Sequence, residues 1–223
     1  MAEKERWDGW LGPKQWMPIV AILSVAIVAL AVVLFLNMGD DDPEDAAATP
    51  GRVPTHEHAD FALFVRGQRF DFDKPEFTTS EDETPVSDNV HIHEPRINVV
   101  HAHTTLTTWD EFWSSIGFAL SDPSFPGVAG DNVCMTFPDG TKLCNTDTET
   151  WKFVANGVEV DGLANVTISD LSRVLFSYGP KDEDVFATQW PDVSDEACIP
   201  SGLCLERGAP EDEPCGGQGV CTD

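Results

Sequence analysis

Hydrophobic and polar positions divide the chain into regions of different period. The segment WMPIVAILSVAIVALAVVLFLNM carries no charged side chain, and its 22 residues from Met17 to Met38 make a helix about 33 Å long, enough for a bilayer's hydrocarbon core. From Gly39 to Pro54 the pattern has no apolar period, and its acidic, Ala- and Pro-containing composition reads as a flexible stalk. Alternation begins near Thr55. FALFV and RFDF around Gly67 predict a first hairpin, Lys74 to Asn89 a polar loop, and VHIH and VVHAH two strands flanking Glu94 to Asn98.

A helical period follows. Trp109, Phe112, Trp113 and Ile116 share one face, Thr108 and Glu111 form a capping box before them, and Gly117 stops the helix. In Phe137-Pro138-Asp139-Gly140-Thr141 a type I turn ending in a glycine bulge sets Cys134 directly opposite Cys144, at a spacing that suits a disulfide. WKFVA and VEVDG flank Asn156-Gly157, a strong two-residue hairpin signal. RVLFSYG is the last strand, with Val174, Phe176 and Tyr178 on one face. The reading is an α+β fold, mostly antiparallel sheet with one short helix, after an N-terminal transmembrane helix.

These elements give five regions: a cytoplasmic N-terminus over 1–16, a transmembrane signal anchor over 17–38, the acidic stalk over 39–54, a His-rich α+β domain over 55–190 and a Cys-rich tail over 191–223. Lys4, Arg6 and Lys14 precede the span and Asp40, Asp41, Asp42, Glu44 and Asp45 follow it, which holds the N-terminus in the cytoplasm and places the domain outside. Ala46-Ala47-Ala48 resembles a cleavage site, but the apolar run exceeds the 7–15 residues or so of a signal peptide's core, which favours an uncleaved anchor. All six cysteines, Cys134, Cys144, Cys198, Cys204, Cys215 and Cys221, follow the span, as an oxidising compartment permits. The tail's C-x5-C and C-x10-C spacings favour disulfides over zinc, and three pairings of its four cysteines are open. Asn165-Val166-Thr167 has the pattern of a glycosylation acceptor.

Charge narrows the partners. Thirty-nine acidic residues against 13 basic ones give a formal charge of -26, so nucleic acid and anionic lipid surfaces are repelled while cations are gathered. The chemistry lies with the histidines, all six of which fall in His-x-His pairs: His56 and His58, His91 and His93, His101 and His103. Residues two apart on a strand share a face, so each pair presents two imidazoles to one side, and converging imidazoles bind zinc or copper. The alternative is a set of half-buried imidazoles hydrogen-bonded to backbone or carboxylate. Glu57, Asp60 and Glu94 are the nearest carboxylates and are candidate ligands or acceptors for the far ring nitrogens. Loop parity is decisive for the second and third pairs: an odd turn puts all four imidazoles on one face, an even turn splits them. No nucleophile elbow, phosphate loop or C-x-x-C redox motif occurs. The reading is therefore binding, buffering or delivery of a zinc or copper ion, with a cell-surface protein interaction module or a metal-dependent hydrolase or lyase as alternatives.

The runs HEHADFALFVRGQRFDF, VHIH, HAH, TLTTWDEFWSSIGF, RVLFSYG and DEACIPSGLCLERG resemble a family of membrane-anchored archaeal proteins. The resemblance implies a shared fold on the secreted side and supplies no chemistry. The chain departs from that family at Glu94 to Asn98, where glycine-rich turns are usual. The NG hairpin and a last strand entered from ISDLSRVLFSYG also resemble the end of a ubiquitin-like β-grasp sheet, an analogy of fold alone.

Overall fold

Strand formation is densest where the apolar run is least interrupted. The computed structural model describes residues 51–79, 87 and 89–210. The span, most of the stalk, part of the acidic loop, Cys215 and Cys221 lie outside the described residues. Among the described residues no helix is long and apolar enough to cross a membrane.

β1 (Pro54–Val65) is the spine. A seven-stranded mixed sheet runs in the order β3 (Val90–His91), β4 (Val99–Thr104), β1, β10 (Arg173–Pro180), β8 (Glu149–Ala155) and β9 (Val158–Val160), with β2 (Gln68–Arg69) paired to the end of β1. The expectation of hairpins holds for β1–β2, β3–β4 and β8–β9, but at the centre β1 and β10 are parallel, from Asp60 beside Arg173 to Val65 beside Tyr178. A strand so placed is covered on both faces, which is why FALFV reads as a continuous apolar run rather than an alternation. Asn156 and Gly157 have φ of 50° and 81°, the doubly positive pattern that Asn-Gly adopts in a two-residue hairpin.

The two faces differ. Ala59, Phe61 and Leu63 point into the main core, where Trp109, Phe112 and Trp113 of helix α1 (Trp109–Ser115) pack with Phe72, Phe153 and Phe176. The capping box forms: Thr108 Oγ1 accepts from the Glu111 amide and the Glu111 carboxylate accepts from the Thr108 amide. Ala62 and Phe64 point the other way, onto Val154, Leu175, Val185 and Val193. Here lies a second short helix that the sequence pattern does not announce, α2 (Val185–Thr188), followed by a 3-10 turn at Trp190–Asp192.

A separate three-stranded sheet, β5 (Ala119–Ser121), β6 (Cys134–Thr136) and β7 (Lys142–Cys144), carries the Cys134–Cys144 disulfide at directly paired positions. Trp151 Nε1 donates to the Leu143 carbonyl and the Tyr178 hydroxyl to that of Cys144, which ties this sheet to the large one. Just beyond β5, the fully buried Asp122 accepts from the amides of Leu163 and Ala164 at 2.7 and 2.8 Å and from that of Ser124 at 2.9 Å. Gly162 permits this approach, since a Cβ there would sit 2.5 Å from the Asp122 carboxylate.

The first part of the tail packs against the sheet. The buried carboxylate of Asp60 accepts from the amides of Glu196 and Ala197 at 2.8 and 3.0 Å, and Ala197 and Ile199 are themselves buried. A second disulfide, Cys198–Cys204, closes a small loop immediately after this anchor.

Candidate metal centre

Register gathers the histidines. His58 of β1 stands directly opposite His101 of β4, and His101 stands directly opposite His91 of β3, so three imidazoles lie side by side across three adjacent strands. Pairing of His91 with His101 centres the β3–β4 connection on Arg96, which is the odd alternative for the loop. All four imidazoles of that hairpin therefore face the same side. One step along the strands His56 and His103 follow, and in the other direction His93 lies beside the start of β4.

Ring positions show how closely they gather. Centroids of His58 and His101 are 4.7 Å apart, those of His56 and His58 4.5 Å, His93 and His101 4.3 Å, His91 and His103 4.9 Å, and His56 and His103 5.0 Å. His58, His91, His93 and His101 are buried, His103 is half-buried and His56 is exposed, so the cluster opens to solvent at one end. That open end is where an ion would enter.

His56, His58 and His101 form a group that can hold an ion, each offering a ring nitrogen, with all three nitrogens within 4.8 Å of one another. Ligands 2.0–2.1 Å from a tetrahedral zinc lie about 3.3 Å apart, so each ring has to close by roughly an ångström or less. Such a tripod leaves a fourth coordination position for water or another ligand. The described cysteines are all in disulfides, so the donor set is nitrogen without thiolate, which suits zinc or a copper ion other than the blue type.

Second contacts fix which nitrogen presents its lone pair. His58 Nδ1 is 2.8 Å from the Ser201 hydroxyl, which is 3.0 Å from the Asp170 carboxylate and 2.9 Å from the Ala197 carbonyl. With its own proton given to one of these acceptors, Ser201 accepts from Nδ1–H, and the neutral ring then carries its lone pair on Nε2. His91 Nδ1 meets the Ser87 carbonyl at 3.3 Å and His93 Nδ1 the Glu94 carbonyl at 2.7 Å, with the same effect on their tautomers. Asp170 also accepts from the His58 amide at 3.0 Å, so it holds both backbone and ring support of that residue.

The three carboxylates named from sequence take other places. Asp60 is spent on the amides of Glu196 and Ala197. Glu94 is exposed and supplies its carbonyl, rather than its carboxylate, to His93. Glu57 pairs with Ala102 on the alternate positions of the ladder, away from the imidazole face; burial, then the charge of Asp170, raises its carboxyl above the ordinary range. Asp170 and Ser201 are the contacts that sequence reasoning missed. Nothing local marks them, because they reach β1 from more than 100 positions downstream.

If Ser201 orients His58, replacing Ser201 by Ala lowers metal affinity by about tenfold to a hundredfold, the usual effect of losing a ligand's outer partner. Stoichiometry stays the same. Competition against a chromogenic chelator measures the difference, and an unaltered affinity would remove Ser201 from the site.

Comparison of the chain with protein-family models, with curated proteins and with solved structures finds no match.

Proposed function

We propose that this protein is a membrane-anchored metal-binding protein whose α+β domain, on the outer side of the membrane, takes up a copper or zinc ion through His56, His58 and His101. The observation that carries this reading is the convergence of three imidazole nitrogens within 4.8 Å on facing strand positions. Three features support the setting: the uncharged run from Met17 to Met38, the basic residues before and acidic ones after it, and disulfides in the described part of the chain. A central parallel pair made by the first and last strands, with β8 and β9 beyond, supports reading the sheet as β-grasp-like. Binding, buffering or delivery fits a site that is buried at one end and open at the other. The acidic surface adds a field that draws cations toward it.

Elemental analysis of the full chain purified in detergent, after mild chelation and reloading, is the test. Stoichiometric copper or zinc is expected, with free ion at about a hundred times Kd adding roughly 2.7 kcal/mol to stability. Less than one ion per chain, unchanged when the histidine pairs are replaced by Ala, ends the reading. Leu203 and Leu205, both 66% exposed beside the Cys198–Cys204 loop, favour a second reading as a protein interaction module, for which chelation leaves thermal stability untouched.

A further inference from the structure

We propose that Asn165 carries an N-linked oligosaccharide, joined to its side-chain nitrogen on the outer side of the membrane. The inference rests on that placement of the domain and goes beyond metal binding. Asn165-Val166-Thr167 is the chain's one Asn-x-Ser/Thr sequence, and an acceptor of this kind needs its asparagine at the surface. The fold puts it there. Leu163 to Val166 make a turn closed by the Val166 amide on the Leu163 carbonyl at 2.9 Å, and Asn165, at its third position, is exposed. The backbone around it is held: the Leu163 and Ala164 amides donate to Asp122, the Asn165 amide donates to Ser124 Oγ at 2.7 Å, and the Val166 carbonyl accepts from the Trp109 amide. A fixed turn thus presents one side chain to solvent.

Other asparagines hold the fold with their side chains. Oδ1 of Asn145 accepts from the Trp151 amide at 2.7 Å, that of Asn156 from the Arg173 amide at 2.9 Å, and that of Asn89 from the Thr104 hydroxyl. Asn165 Nδ2 donates to the Ser124 carbonyl at 3.4 Å, longer than the usual range of about 2.7–3.2 Å, so turning the amide outward gives up little. Its neighbour Val166 is 41% exposed, which leaves the space around the amide open. The donor this chemistry requires is an oligosaccharide on a membrane polyprenyl phosphate or diphosphate, and the proposed anchor keeps the acceptor at the membrane. In the transfer Nδ2 bonds to C1 of the first sugar and the bond from C1 to the phosphate oxygen breaks. The polyprenyl phosphate or diphosphate leaves with that electron pair, and one Nδ2 proton passes to a base of the transferase. Nothing is oxidised or reduced.

Mass spectrometry is the test. The full chain is expressed in a host that makes lipid-linked oligosaccharides, purified in detergent and cut with trypsin, and the peptide 153–173 is weighed and fragmented. A mass increment of whole sugar residues on Asn165, in most of the peptide, is expected. Asn165→Gln and Thr167→Ala each lose the increment, whereas Thr167→Ser keeps it, because the acceptor sequence takes either hydroxyl. A peptide bare at Asn165 in the unaltered chain overturns the inference, and so does sugar found on a serine or threonine of that peptide instead. An increment that survives Asn165→Gln overturns it as well. Protease added to intact cells separates this failure from that of the outer placement: a digested domain with a bare Asn165 ends the inference alone, while a protected domain ends both. The unaltered chain decides the matter even if a variant does not fold.

Discussion

On the proposed metal-binding reading, His101→Ala is expected to lower the affinity of the chain for copper or zinc by at least about a hundredfold, more than removal of any outer contact does. His101 is the middle imidazole of the row. It lies directly opposite both His58 and His91, its ring is 4.7 Å from that of His58 and 4.3 Å from that of His93, and it has no exposed surface. The exposed His56 is the proposed ligand at the open end, where water substitutes more readily. Isothermal titration of the two single variants tests the ranking: His56→Ala is expected to retain weakened binding and His101→Ala to lose it. Equal, small losses for both would show that the row does not act through its centre.

Asp122→Ala destabilises the domain by about 3–5 kcal/mol and lowers Tm by roughly 10 °C, without changing metal content at temperatures where the domain stays folded. Its carboxylate is fully buried and satisfies the amides of Leu163 and Ala164, as well as that of Ser124. Truncation strands two buried donors at once. The Leu163–Val166 segment in turn supports the start of α1, since the Trp109 and Asp110 amides donate to the carbonyls of Val166 and Ala164. A calorimetric scan compares the two proteins, and a loss within 1 kcal/mol or so would mean that the segment repacks around water. The two substitutions separate cleanly: one acts on the site and the other on the frame.

What could be read from the chain beforehand depends on distance along it. The Thr108–Glu111 box, the Asn156-Gly157 turn and the facing of Cys134 and Cys144 are decided by residues within about ten positions, and each follows from local geometry. Pairing of the histidines as His-x-His also shows in the sequence, because a strand's period of two is local. The parity of the Glu94–Asn98 turn is not, since the sheet settles it by aligning β3 and β4 on a common face. The parallel contact of β1 with β10, and with it the burial of FALFV on both sides, joins segments more than a hundred positions apart. Asp60 illustrates the limit well: a carboxylate two positions from His58 looks like an outer-shell partner, yet amides of the tail claim it.

The hydroxyl that aims the His58 ring belongs to Ser201, and half of the ladder that holds β1 belongs to β10. Histidines encoded early thus wait for the last part of the polypeptide before they acquire their geometry. A chain lacking that part has the imidazoles but not the contacts that arrange them. On the proposed metal-binding reading, the compartment in which the C-terminal third finishes folding would then set which ions the completed site meets first.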